Sequence, residues 1–379
     1  MDEYIEKAVA QFRRLLCQQA ERQERMEKSA PAKDYAGADK IVIGIVGGDG
    51  IGPIIMAQTR RVLEKLLKTE LESGRVELRD IDGLTIENRL ALGQAVPEDV
   101  LEQIKACDVL LKGPTTTPKG GTLESANVTL RRELDLYANV RPVCIPEQGI
   151  DWIFFRENTE GEYALGSRGI ELPGKLTIDF KVTTDAGTRR IARSAFEYAR
   201  ANGKTSVSIV TKANIMKKTD GMFSEICHEV AADYPEIQAE DWYIDIMTAN
   251  LVNEQIRNRF QVFVLPNLYG DIITDEAAQI QGGVGTAGSA NLGDSYAMFE
   301  AIHGSAPRKM EKGEGDYANP ASILKAAEML LRHIAMGDKA DKLAAAMREC
   351  TETERRVVVT GHRDGATCRE FTDYLLEKL

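Results

Sequence analysis

The sequence predicts an α/β protein built on a mostly parallel sheet. Short apolar runs alternate with helical stretches of 10 to 17 residues, strand ends are followed by Gly-rich or polar loops, and one period-two stretch interrupts the rhythm. A run such as Ile41-Val42-Ile43-Gly44-Ile45-Val46 reads as a strand covered on both faces. From there the pattern predicts a helix over 54–69, a strand over 75–81, a helix over 97–106 and a strand at Asp108–Lys112. Further on it predicts a helix over 186–202, a strand at Ser206–Val210, a helix over 218–232, a strand at Gln261–Leu265, and helices over 320–336 and 338–350. Ahead of all this, Ile5, Val9, Phe12 and Leu16 fall at helical spacing, so residues 1 to 28 form an amphipathic helix, and 29–39 read as a linker. The interruption lies at 161–185, where Leu176–Thr184 alternates with period two and no helix is attached. It predicts an antiparallel arm that pairs with something, such as the same arm of a second subunit.

With 379 residues, 43% hydrophobic and 28% charged, the chain is long enough for two packed lobes and a small-molecule cleft. Its 48 basic and 59 acidic side chains leave a net charge of −11, and no basic block carries interleaved aromatics, so nucleic acid is not an expected partner. No apolar run reaches the roughly 18 residues that cross a bilayer. Six scattered cysteines without a CxxC suit buried thiols in a reducing compartment. Asp2, Glu3 and Glu6 argue against a transit peptide, and the expected location is cytoplasmic.

Gly47-Gly-Asp-Gly-Ile-Gly-Pro53 joins the first strand to a helix, but its G-x-G-x-G spacing is not the dinucleotide fingerprint, and a structural turn explains it as well as ligand contact does. A polar loop, 113–122, follows the Asp108–Lys112 strand. Just beyond it come Ser125, Asn127 and Arg131, the last two sharing a helical face, then Arg141 and Arg156 beside apolar strand-like sequence. An arginine there needs a planar anionic partner. For one, a protein carboxylate suffices; for three beside a Ser/Asn pair, a bound polycarboxylate becomes a contender. Asp271 and Asp275 share a helical face after the Gln261–Leu265 strand, and two such carboxylates suit Mg²⁺ or Mn²⁺, although helix capping explains the pair as well. The four histidines lack zinc spacing; His303 alone stands in a loop, Phe299–Pro307, where it could meet an adenine.

Taken in order, GDGIGP at 48–53, TTPKGG at 116–121, Ser125/Asn127/Arg131, RENTEGEY at 156–163, KANIMK at 212–217, NLYGDIITD at 267–275 and FEAIHGSAP at 299–307 resemble the isocitrate/isopropylmalate family of β-decarboxylating dehydrogenases. The likeness runs from about residue 41 to the C-terminus. It implies a two-lobed, non-Rossmann homodimer with shared active sites: a large coenzyme lobe of 40–136 plus 283–379, a small lobe of 137–282, and the arm at 161–185 as intersubunit clasp. It implies Asp271 and Asp275 as metal ligands with Asp245 from a second subunit, Lys212 as a catalytic lysine lent across the interface that helps the aspartates carry a proton away, Tyr163 as the acid, and Ser125, Asn127, Arg131, Arg141 and Arg156 around a tricarboxylate. For the coenzyme it implies Thr117, Asn214, Glu300, His303, Gly304, Arg308, Lys309 and Asn319. The polar Ser125/Asn127 pair favours isocitrate over isopropylmalate, homoisocitrate or tartrate. The basic Arg308 and Lys309 favour NADP⁺ over NAD⁺. A regulatory subunit without catalysis is the reading from another class, disfavoured because Tyr163, Lys212 and the three aspartates are all present.

Overall fold

A computed structural model describes residues 2–26, 33–118, 123–166 and 168–379. The predicted linker and the TTPKGG loop therefore lie partly outside the described residues. The chain divides into two compact units, one of Met1–Pro31 with Tyr137–Ala277 and the other of Ala32–Leu136 with Ala278–Leu379.

In chain order the strands are β1 (Ile41–Val46), β2 (Val76–Asp80), β3 (Val109–Lys112), β4 (Ala138–Ile145), β5 (Ile150–Glu157), β6 (Ile170–Leu172), β7 (Leu176–Ile178), β8 (Ser206–Thr211), β9 (Gln238–Tyr243), β10 (Val262–Leu265), β11 (Gly288–Leu292) and β12 (Ala297–Ala301). In the unit containing residues 32–136, the order is β2-β1-β3-β12-β11. All pairs are parallel except β11 with β12. Its core is apolar side chains of β1, β3 and β12 against the helices Glu98–Lys105 and Ala126–Glu133, with Val100, Ile104, Leu110, Leu130 and Met298 buried. In the unit containing residues 137–277, the order is β4-β5-β10-β8-β9, with only β4 and β5 antiparallel. Trp152, Phe154 and Phe263 pack there, the two phenylalanines stacked at 4.3 Å and the indole edge-on. The α/β class and mostly parallel sheet agree with the sequence reading. Every residue of β3 and of β10 is buried, because crossover helices cover both faces.

The N-terminal helix, α1 (Asp2–Met26), forms as its periodicity predicts, and Phe12 stacks on Phe180 at 5.3 Å. The period-two segment forms the expected antiparallel arm, but the strand is shorter than the alternation. Only Leu176–Ile178 is strand, paired with Ile170–Leu172 in a hairpin of three residues a side. Past it, Phe180 turns to Phe12 and Val182 makes a single bridge to Gly161, so contacts with the rest of its unit end the alternation. Cys107, Cys227, Cys350 and Cys368 are buried as expected, but Cys17 and Cys144 are exposed. No helix among the described residues is long and apolar enough to cross a membrane.

Candidate active site

Parallel strands deliver polar loops at their carboxyl ends, and the residues singled out by sequence gather there. In the unit of residues 137–277, β5 reaches Arg156 in register with Leu265 at the end of β10, after which the helix Asn267–Ile280 begins. Arg156 is almost fully buried, 1% exposed, with Nε and Nη2 donating to Asn267 Oδ1 at 3.0 and 2.6 Å and Nη1 to Asp271. Gly270 is required by this path, since a Cβ there would lie 2.5 Å from Arg156 Cγ. Arg141, on β4, donates to Thr274 Oγ1 at 2.6 Å and to Asp275 Oδ1 at 3.1 Å, and lies 3.7 Å from Asp271 Oδ1. Tyr163 donates its hydroxyl to Asp271 Oδ2 at 2.9 Å and presents its ring to the Arg156 guanidinium.

Two buried cations thus face two carboxylates whose side chains remain 40% and 60% exposed. A patch of this kind offers counter-charge both to an anion and to a cation. Asp271 and Asp275, one helical turn apart with hard oxygen donors, fit a Mg²⁺-type ion in chemistry. Among the described residues no three His, Cys, Asp or Glu side chains converge on one point. Asp245 stands elsewhere, at the carboxyl end of β9, where Lys212 at the end of β8 donates to it at 2.6 Å. That hydrogen bond holds the Asp245 carboxyl below its ordinary range. Asn214, two residues on, is exposed.

In the unit of residues 32–136, Ser125 immediately precedes the helix Ala126–Glu133 without a side-chain capping hydrogen bond, and Thr115 Oγ1 donates to Asn127 Oδ1 at 3.1 Å. Arg131 Nη2 donates to Glu300 Oε1 at 3.2 Å. Glu300 lies on β12 in register with Lys112 of β3, whose fully buried ammonium is 3.1 Å from Glu300 Oε2, and Asn291 Nδ2 donates to it at 2.9 Å. Burial works to raise the Glu300 carboxyl, but Lys112 and Arg131 outweigh it and hold the group at about 2. Its carboxylate is therefore committed to these two cations. His303 is half-buried, with Nδ1 at 3.0 Å from the Gly304 carbonyl, and burial pulls its imidazole down. Arg308 and Gly304 are exposed, Lys309 donates to the Gly361 carbonyl, and Asn319 Oδ1 accepts from Ala321 N at 2.9 Å just ahead of a helix. Thr117 is exposed.

Sequence reasoning passed over Asp49. Its backbone N–H donates to the Pro114 carbonyl at 2.7 Å, and its carboxylate accepts from Ile86 N at 2.8 Å and Thr116 N at 2.7 Å, while Thr116 Oγ1 and Ser305 Oγ are 2.6 Å apart. One acid thereby ties the GDGIGP turn to the 113–118 loop. Gly48 (φ +75°) and Gly50 (φ +58°) are needed because a Cβ on either would collide with the Pro114 or Ser305 carbonyl. The signal was available, since an acid between two glycines at a strand end has few uses other than binding backbone amides. Lys112 was missed for another reason: in sequence it is just the last residue of a strand, and its neutraliser is 188 positions away.

These features, acids, arginines and a tyrosine at the strand ends of an α/β chain, suit a small acidic ligand. The family profile "Isocitrate/isopropylmalate dehydrogenase" matches residues 42–375, and the chain belongs to that family. It is 36% identical over 360 residues to a "Probable isocitrate dehydrogenase [NAD] subunit alpha, mitochondrial" of Drosophila melanogaster, covering 92% of this chain and 90% of that one. With an "Isocitrate dehydrogenase [NADP]" of Rickettsia bellii it shares 38% over 353 residues, 89% of this chain and 69% of the relative. The crystal structure of isocitrate dehydrogenase from Methylococcus capsulatus superimposes with a TM-score of 0.79 at 35% identity, over 89% of this chain and 99% of that one.

Proposed function

We propose that this protein oxidatively decarboxylates isocitrate to 2-oxoglutarate with a divalent cation, Mg²⁺ or Mn²⁺, and with NADP⁺ preferred to NAD⁺. The observation that carries the reading is the Asp271 carboxylate, which two buried arginines and the Tyr163 hydroxyl all reach. Relatives named as NAD and as NADP isocitrate dehydrogenases support the reaction and leave the coenzyme to this chain's own residues. Arg308 and Lys309, following Pro307, favour a 2′-phosphate over a bare ribose hydroxyl.

Asp271 and Asp275, with Asp245 supplied by a second copy of the chain, would hold a divalent cation, which would acidify the substrate hydroxyl and stabilise negative charge on the adjoining oxygens. Arg131, Arg141 and Arg156 hold carboxylates, and their planar forks fix which hydrogen faces the nicotinamide. Ser125 and Asn127 donate to the third carboxylate; Thr115 occupies the Asn127 carbonyl oxygen, which leaves the amide end as the donor. Lys212, lent by the second copy together with Asp245, helps with the aspartates to carry the 2-hydroxyl proton away as hydride leaves C2 for nicotinamide C4. Loss of CO₂ from the β-keto acid leaves an enolate, and Tyr163 returns a proton to carbon. Thr117, Asn214, His303, Gly304 and Asn319 contact the coenzyme in this reading, which also takes the protein as a cytoplasmic homodimer joined through 161–185.

The test is a rate comparison of isocitrate, isopropylmalate, homoisocitrate and tartrate with each coenzyme. Isocitrate with NADP⁺ is expected to give the highest kcat/KM. A higher value for isopropylmalate removes the substrate assignment, an NAD⁺ advantage removes the role given to Arg308, and no turnover of any of the four leaves the regulatory-subunit reading.

A further inference from the structure

Glu157 and Glu160 are both 2% exposed and stand three residues apart on the segment that leads from Arg156 to Tyr163. Two buried carboxylates so close repel each other unless protonated or compensated. Part of the compensation is local. Glu157 accepts from Thr159 N at 3.0 Å and Glu160 N at 2.6 Å, and Glu160 accepts from Thr184 N at 2.9 Å and from the Thr184 hydroxyl. The positive charge comes from farther away in sequence. Arg22 of α1, its side chain 14% exposed, donates through Nη1 to Glu160 Oε1 at 2.9 Å and through Nη2 to Thr159 Oγ1 at 2.8 Å. Arg190, on the helix Asp185–Ala201, donates to the same Thr159 oxygen at 3.2 Å.

The turn is wired to the site. Asn267 Nδ2 donates to the Glu160 carbonyl at 3.1 Å, and the same Asn267 holds Arg156 through its Oδ1. Helix α1 is fixed along its length as well, by Gln11 on the Gly169 carbonyl at 2.8 Å and by Phe12 on Phe180. It lies ahead of the residues that match the family profile, which begin at 42.

We propose that Arg22 is a positioning residue: reaching in from α1, it neutralises the Glu157–Glu160 pair and fixes the turn that presents Arg156 and Tyr163 to Asp271. Its effect on turnover rests on the function proposed above; its effect on the turn does not. Burial and the Glu160 charge push Glu157 up to about 7, with Arg22 and Arg190 pulling the other way. The raised acid favours the folded turn while protonated, and that contribution is lost as pH rises through about 7. Arg22 matters most above that point.

The experiment is hydrogen exchange on the full-length chain, without substrate, followed as protection factors in peptides spanning 157–166. At about pH 8, Arg22→Met should exchange roughly tenfold faster than wild type and Arg22→Lys by less, while at about pH 6 the Met variant should remain faster but by a smaller factor, because the hydrogen bonds to Glu160 and Thr159 are lost at either pH and only the Glu157 repulsion is relieved. Adding Glu157→Gln to Arg22→Met removes the repulsion and should restore protection at the higher pH. Equal protection in wild type and Arg22→Met at the higher pH, or a double variant as unprotected as the single one, overturns the proposal. Should Arg22→Met fail to fold, Arg22→Lys and Glu157→Gln decide the matter: the first must still lower and the second raise protection above pH 7, and no change in either overturns it. In turnover assays Arg22→Met should lower kcat for isocitrate with little change in coenzyme KM. A wild type that does not oxidise isocitrate refutes the function and leaves the exchange result to judge Arg22.

Discussion

The Tyr163 hydroxyl and the Asp271 carboxylate are joined by a 2.9 Å hydrogen bond, although 108 residues separate them in the chain. The phenol is thereby held where Asp271 and the buried arginines meet. A group that delivers one proton late in a reaction needs this kind of fixed orientation.

Replacing Tyr163 by Phe should therefore cost about 10²- to 10⁴-fold in kcat, the range of a lost acid–base catalyst, with little change in isocitrate KM. Steady-state kinetics check this. Because the phenol acts after hydride transfer in the proposed sequence, a single-turnover burst of reduced coenzyme should survive in the variant.

Asn127 tests substrate choice. Its carbonyl oxygen is engaged by Thr115, so the amide end is the donor offered to a ligand. Asn127→Leu should weaken isocitrate by about 1–3 kcal/mol, roughly a ten- to hundredfold fall in kcat/KM, because a carboxylate is left without its hydrogen bond. Isopropylmalate should lose nothing, which a side-by-side assay of both substrates would reveal.

Glu300 tests the buried charge network. It compensates the fully buried Lys112 and the nearby Arg131, so Glu300→Gln leaves two cations against a neutral amide. Breaking a buried pair in this way costs about 3–5 kcal/mol, readable as a lower denaturant midpoint. Glu300→Asp, which keeps the charge on a shorter arm, should lose less.

His333 gives a pH signature. It packs between Tyr35 at 5.2 Å and Phe299 at 5.5 Å, and burial pulls its imidazole down to about 4. A depressed histidine contributes stability above its unfolded value near 6.5. That contribution is lost as pH falls from there through about 4. Tm should drop across this window, and His333→Phe should flatten the drop by several degrees, on the order of 5 °C.

The sequence made the strand–helix alternation legible because both-face burial writes itself as short apolar runs, as β1, β3 and β10 do. It also located the charged residues at strand ends. It did not disclose which charges meet: Arg141 and Arg156 turn to Asp271 and Asp275, whereas Arg131 turns to Glu300, and each pairing depends on strand order. β4 and β5 showed only as strand-like sequence around Arg141 and Arg156, and their pairing was not legible because an antiparallel hairpin carries no crossover helix. The period-two arm is present but its strand is shorter than the pattern, since alternation over Leu176–Thr184 records contacts with α1 and Gly161 as much as strand pairing.

The central claim is that acidic side chains grip a divalent cation that makes a hydroxy-acid oxidisable. Its most direct test is the initial rate of coenzyme reduction by isocitrate, with Mg²⁺, after exhaustive chelation, and after Mg²⁺ is restored, in wild type and Asp271→Asn. The account predicts a loss of at least about 10²-fold on chelation, full recovery on restoring the ion, and almost no rate at any ion concentration in the variant. An undiminished rate in the chelated enzyme, or an Asp271→Asn protein as fast as wild type, would contradict it.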